Sequence, residues 1–344
     1  IKGGREMIRE ALLYEKLADN LVRCNLCAHG CTIKPDRRGI CGVRENKKGV
    51  LYSLVYGTVI AENIDPIEKK PFFHVYPASK SYSIAAVGCN FSCEFCQNHE
   101  ISQMPRSARL IMGKDITPEE IVAHAVKSGC RTIAYTYTEP TVYFELAYET
   151  ARLAAAAGMK NVFVTNGFMS LKALEKIGPY LTAANVDLKS FREEFYRKSC
   201  GARLQPVLES LQNMKKSGIW VEITTLLIPG LNDSGEELKD IAAFIKALGK
   251  ETPWHISRFH PQFKMLDKPV TPVSLLHRAR EIGRTAGLKY VYSGNVPGDA
   301  GENTYCCRCG QLLIERCGFR VTATNLNANN VCNCCGTPLE GIFR

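Results

Sequence analysis

The chain has 344 residues, 45% hydrophobic and 23% charged, with a formal net charge of +10. That composition is of the globular kind and gives room for one large α/β domain with appendages, or two ordinary domains. No apolar run approaches the roughly 18 residues that cross a bilayer, and the residues given show no basic-then-apolar leader pattern, so a cytoplasmic protein without a membrane partner is expected.

The charge selects no partner. The basic pairs Arg37-Arg38, Lys47-Lys48, Lys69-Lys70 and Lys215-Lys216 are scattered, and metallation of the cysteines would lower the balance to roughly +5. Nucleic acid is thereby only weakly supported as a partner. Sixteen cysteines are many, and most fall in three tight clusters inside a long chain. Disulfide frameworks belong mainly to small secreted domains, so metal binding in a reducing compartment is the better reading.

In chain order, residues 1–80 read as a small cysteine-rich lobe. The stretch "CNLCAHGCTIKPDRRGIC" spaces Cys24, Cys27, Cys31 and Cys41 as C-x2-C-x3-C-x9-C, so all four are expected on one metal. Structural zinc is the first choice and an auxiliary iron–sulfur cluster the second, with His29 as a loop residue between the ligands.

Residues 81–298 alternate β-branched runs with amphipathic segments. Candidate strands are 83–87, 132–137, 161–166, 185–189, 221–228, 255–260 and 289–293. Helical patterns lie between most of them; "TPEEIVAHAVKSG" carries Thr117 as N-cap, Pro118 in the first turn and Gly129 as a stop. Such repetition means parallel strands joined by right-handed crossovers. The expected fold is α/β, a partial (β/α) barrel of about six parallel strands, with metal-binding lobes at both ends. No G-x-G-x-x-G follows the first strand, which argues against a dinucleotide fold.

In such barrels the chemistry sits at the C-terminal ends of the strands. The strand endings here are polar: the loop after Gly88, then Glu139, Asn166, Asp187 with Lys189, and His260. The first of these, "VGCNFSCEFCQNHE", spaces Cys89, Cys93 and Cys96 as C-x3-C-x2-C and stops one ligand short of a closed site. Three ligands with an open position mark a reactive centre, and an iron–sulfur cubane with one free iron fits better than zinc.

Residues 299–344 form the third part. Cys306-x2-Cys309 and Cys332-x2-Cys335, each followed by a glycine, have the spacing of a four-thiolate zinc ribbon. Cys307, Cys317 and Cys334 are left over, and a register using Cys307 or Cys334 is an alternative. Cys130 and Cys200 stand singly and are expected as small buried hydrophobes.

The motif "CNFSCEFC" resembles the signature of radical S-adenosylmethionine (SAM) enzymes. "TNGF", "VDLKSF", "LLIPGLND" and "RFHPQFK" follow in an order similar to that of activating enzymes of the pyruvate formate-lyase type, over about residues 83–265. With its cysteine-rich ends and "YTYTEP", the whole chain looks closest to the radical SAM member of the AmmeMemoRadiSam group.

The resemblance implies a [4Fe–4S] cluster on Cys89, Cys93 and Cys96. It implies a SAM site at Glu139, which takes the amino group, with Asn166 on the rim, Asp187 and Lys189 at the ribose and carboxylate, and His260 nearby. It further implies a low-potential electron donor such as ferredoxin or flavodoxin, and Memo-like and AMMECR-like partner proteins. Val164 stands where the activating enzymes carry an aspartate, so their monovalent cation is not expected.

Two substrate classes follow, a protein to be given a glycyl radical and a small molecule or RNA. A reading of another class is a non-catalytic, metal-stapled module that binds nucleic acid or protein.

Overall fold

A computed structural model describes residues 8–343. Its centre is an eight-stranded sheet in which neighbours in sequence are neighbours in space. An edge strand, β1 (Ala61–Pro66), runs antiparallel to β2 (Lys80–Ala85). The strands β3 (Thr132–Tyr135), β4 (Lys160–Thr165), β5 (Ala183–Asp187), β6 (Trp220–Leu227), β7 (Trp254–Arg258) and β8 (Val291–Gly294) then follow β2, each parallel to the last. Among the described residues β8 does not pair with β1 or β2, so the barrel is partial, as expected. Its seven parallel strands coincide with the seven candidate runs in the sequence, one more than the barrel of about six.

Helices cover the sheet between the strands. These are α1 (His99–Ser107), α2 (Pro118–Lys127), α3 (Phe144–Ala156), α4 (Leu171–Ile177), α5 (Gln205–Lys216), α6 (Gly235–Leu248) and α7 (Val273–Thr285). The start of α2 is chemically determined. Thr117 Oγ1 accepts from the Glu120 amide at 3.2 Å while the Glu120 carboxylate accepts from the Thr117 amide at 2.8 Å, a reciprocal cap. The strands are buried on both faces; β3 reads Thr-Ile-Ala-Tyr with all four side chains inside, as helix-covered parallel sheets require.

The connection between β1 and β2 closes one end of the sheet. Glu222, near the start of β6 and fully buried, accepts the amides of Phe73 at 3.0 Å and His74 at 2.9 Å. Asn185 in β5 donates to the Pro71 carbonyl at 2.8 Å. The opposite end, where the strands finish, stays available for the site.

The N-terminal segment forms two small antiparallel sheets, one from Tyr14–Lys16, Val22–Cys24 and Thr32–Ile33, the other from Arg9–Glu10, Arg44–Lys47 and Val50–Ser53. Strand β1 lies within the span 1–80 read as the N-terminal lobe, yet it hydrogen-bonds into the barrel sheet. The lobe is tied to α3 by Arg44 and Glu145, each 1% exposed and 2.6 Å apart. At the other end, Thr304–Tyr305, Leu312–Cys317 and Arg320–Thr324 make a three-stranded sheet. Its buried Arg316 donates to the Phe73 carbonyl at 2.9 Å and lies over the Phe73 ring.

Candidate metal and cofactor site

The loop after β2 is fixed from several sides. Arg106 on α1 donates to the carbonyls of Cys89 and, at 2.6 Å, Phe91. Pro105 has no amide for the Ile101 carbonyl one turn back, and that carbonyl instead accepts from the Gly88 amide at 3.0 Å. Ser92 and Glu94 donate their amides to the Cys200 and Ser199 carbonyls at 2.8 and 3.0 Å. A loop with so many backbone partners presents its thiols in a set geometry.

Of those thiols, Cys93 is buried and Cys89 and Cys96 are half-buried. Cys96 Sγ lies 3.3 Å from Ser102 Oγ, and Cys89 Sγ accepts from the Phe91 amide at 3.3 Å. The Cys200 thiol and burial push Cys93 up, and burial with the Glu139 charge pushes Cys89 up. Bare, these thiols hold their protons; only a strong local cation such as a metal makes them thiolates. Cys200 was expected to be mere packing. It is fully buried, but its thiol meets Cys93, and nothing in the local pattern around "RKSCG" announces that contact.

Beside the loop, Glu139 leaves β3 and is 1% exposed. Its Oε1 accepts from the Thr141 amide at 3.0 Å, Thr141 Oγ1 at 2.5 Å and Thr165 Oγ1 at 2.7 Å. Its Oε2 accepts from the Asn166 amide at 2.8 Å and so keeps acceptor capacity for a further donor. Burial raises its pKa against these hydrogen bonds.

Asn166, at the end of β4, turns back to the loop. Its Nδ2 donates to Asn90 Oδ1 at 2.7 Å and lies 3.8 Å from Cys89 Sγ. The turn needs Gly167: its φ is +70°, and an added Cβ would fall 2.8 Å from Val186 Cγ1. Across the rim, Lys189 Nζ donates to Asp187 Oδ2 at 2.8 Å. Burial opposes the Lys189 charge, but the Asp187 carboxylate outweighs it and holds the pKa above the usual lysine value. The structure thus brings the cysteine loop, Glu139, Asn166, Asp187 and Lys189 to one rim. His260, past the end of β7, is exposed.

A donor set of three neighbouring thiols without a fourth protein ligand in their own loop fits a cluster that keeps one iron free. Their sulfurs are not drawn as close as one ion demands: among the described residues, only Cys306, Cys309, Cys332 and Cys335 place their ligand atoms within 4.8 Å of one another. A cube seats its thiolates on different irons and so spreads them.

The Radical SAM superfamily model matches residues 83–245. An uncharacterized protein of Methanocaldococcus jannaschii is 49% identical over 335 residues, 97% of this chain and 99% of that one. The chain belongs to the radical SAM superfamily. Another relative, the isethionate sulfite-lyase activating enzyme of Oleidesulfovibrio alaskensis, is 26% identical over 176 residues, 47% of this chain and 56% of the relative. In fold, the chain is similar to a radical SAM methyltransferase from Sphaerobacter thermophilus, with a TM-score of 0.50 at 16% identity, covering 66% of this chain and 71% of that structure. Membership makes this radical SAM protein an enzyme and implies a [4Fe–4S] cluster and SAM. Neither the fold nor the relatives favour the non-catalytic module. Among the described residues no helix is long and apolar enough to cross a membrane.

At the C-terminal end of this radical SAM protein the expected quartet converges. Cys306 and Cys335 Sγ are 3.5 Å apart and Cys309 and Cys332 Sγ 3.6 Å. Four thiolates at zinc bond lengths lie about 3.8 Å from one another. Cys307, Cys317 and Cys334 are exposed and stand outside the group.

Proposed function

We propose that this enzyme cleaves SAM reductively and abstracts hydrogen from a substrate carbon, with Cys89, Cys93 and Cys96 holding the [4Fe–4S] cluster. The observation that carries this reading is the thiol loop standing on the same strand-end rim as Glu139, Asn166 and the Asp187–Lys189 pair. When bound, the cluster supplies the single electron that breaks the sulfonium C–S bond to methionine and a 5′-deoxyadenosyl radical.

The chain's own residues bind and orient. Lys189 meets the carboxylate of SAM, and the open acceptor site of Glu139 Oε2 takes the amine. Asp187 accepts from the ribose hydroxyls and keeps Lys189 charged. Asn166 holds the loop through Asn90, and His260 borders the SAM site from the outer rim. The buried strand ends keep water away from a reactive carbon radical.

As part of the same reading, the C-terminal quartet holds zinc, and a low-potential ferredoxin or flavodoxin in the cytoplasm delivers the electron. The cysteine-rich ends and "YTYTEP" support membership of the AmmeMemoRadiSam group, with Memo-like and AMMECR-like proteins as partners. The substrate is a protein glycyl site or a small molecule or RNA; deuterium moving from a candidate substrate into 5′-deoxyadenosine identifies it.

The test of the SAM site is spectroscopic. The reduced, reconstituted enzyme should change its electron paramagnetic resonance spectrum when SAM is added, and Lys189→Met should demand at least tenfold more SAM for the same change. A spectrum indifferent to saturating SAM overturns the reading.

A further inference from the structure

We infer that Cys24, Cys27, Cys31 and Cys41 hold a second iron–sulfur cube, and not a zinc ion. The two four-cysteine sets of this chain behave differently. The C-terminal set collapses to the spacing one ion imposes, all four sulfurs within 4.8 Å. The N-terminal set lines one common cavity with apolar walls from Leu26, Ile33, Ile40 and Val142, yet its sulfurs do not come that close. Four sulfurs facing a shared space, but too far apart for one tetrahedral ion, are what a cube with one thiolate on each iron requires.

A second observation points to the same occupant. Arg44 and Asn90 line that cavity, and each is 1% exposed. Arg44 gives its Nη2 to Glu145, leaving Nε and Nη1 without a hydrogen-bond partner, and Asn90 Nδ2 is likewise unpartnered. Buried donors of this kind are costly to leave unsatisfied. The bridging sulfides of an anionic cube accept N–H donors and are the acceptors these groups lack; a zinc site would offer only its four thiolates, which here stand too far apart to share one ion.

The site also adjoins the radical loop. Asn90 belongs to both, through its cavity wall and through Asn166. His29 Nε2, between the N-terminal cysteines, lies 2.8 Å from the Asn90 carbonyl. Gly88, with φ +104°, is so close that an added Cβ would fall 2.6 Å from Val43 Cγ1 and 3.4 Å from the Cys41 carbonyl. A cube here places a one-electron redox group against the radical loop, which zinc cannot do.

Metal analysis of anaerobically prepared full-length protein tests this. The wild type should carry about eight iron and eight sulfide per chain with about one zinc. The Cys89→Ala/Cys93→Ala/Cys96→Ala variant should keep about four iron and four sulfide and a reducible cluster signal. Cys31→Ser/Cys41→Ser should lose that half while keeping the radical loop's iron. Two zinc per chain in the wild type, or a triple variant with normal circular dichroism and no iron, overturns the inference. If the wild type holds only four iron and the triple variant retains all of it, the inference stands and the radical-loop cluster fails. The wild-type iron and zinc counts, read together, decide the matter even if a variant does not fold: about eight iron with one zinc supports the second cube, and about four iron with two zinc overturns it.

Discussion

Asn166 Nδ2 donates to Asn90 Oδ1 at 2.7 Å, joining the end of β4 to the cysteine loop across 76 residues of sequence. Because Asn166 also offers its amide to Glu139, one residue connects the loop to the carboxylate. Removing the side chain leaves the thiols in place but frees the loop. Asn166→Ala should retain the cluster and lower SAM cleavage about 10- to 100-fold, the usual cost of losing an outer-sphere partner. Iron content and single-turnover rate, measured on the same sample, check this.

Glu139 gathers four donors in a buried place. Glu139→Ala orphans the Thr141 and Asn166 amides and two hydroxyls, and should destabilise the fold by about 3 kcal/mol while weakening SAM binding. Urea unfolding and SAM titration read the two effects separately. Unchanged stability would mean that these hydrogen bonds do not form.

The Arg44–Glu145 pair is the buried link between the N-terminal lobe and α3. Taking away Glu145 leaves the buried Arg44 charge without its carboxylate, so Glu145→Ala should cost about 3–5 kcal/mol. Replacing both with apolar residues should cost less. A double-mutant cycle of unfolding free energies measures the difference.

Burial holds the His74 imidazole far below its ordinary value, at about 3. Its contacts fit a neutral ring: Nδ1 donates to the Glu340 carbonyl, and Nε2 accepts from the Tyr292 hydroxyl, both at 2.6 Å. The folded pKa lies below the unfolded 6.5, so the unfolded chain binds the proton first. The stabilising contribution is complete above about pH 6.5 and is lost as pH falls towards 3, by about 1.4 kcal/mol per pH unit. His74→Gln should lose stability at pH 7.5 but show a shallower decline between pH 6 and 5. Denaturant midpoints across that range test it.

Much of the barrel was legible because its strands are β-branched runs bounded by turn residues, and because the Thr117–Glu120 cap is local. Strand β1 was missed since "AENIDP" is an edge strand without apolar alternation, ending in proline. The helix α1 was missed because it follows the cysteine loop directly and holds Pro105. In the site, residue types at strand ends pointed to Glu139, Asn166, Asp187 and Lys189. Asn90, Arg106 and Cys200 were invisible, since their importance comes from partners far off in sequence. Likewise, the spacing of the N-terminal cysteines left zinc and an iron–sulfur cluster both open, and only the folded chain shows one quartet closing on an ion-sized point and the other lining a cavity.

The most direct measurement is 5′-deoxyadenosine released per chain by dithionite-reduced, anaerobically reconstituted protein given SAM. The wild type should release it, and Cys93→Ala, with circular dichroism unchanged, should release none. Release by that variant at the wild-type rate, or no release from a wild type carrying its full iron, would contradict the account.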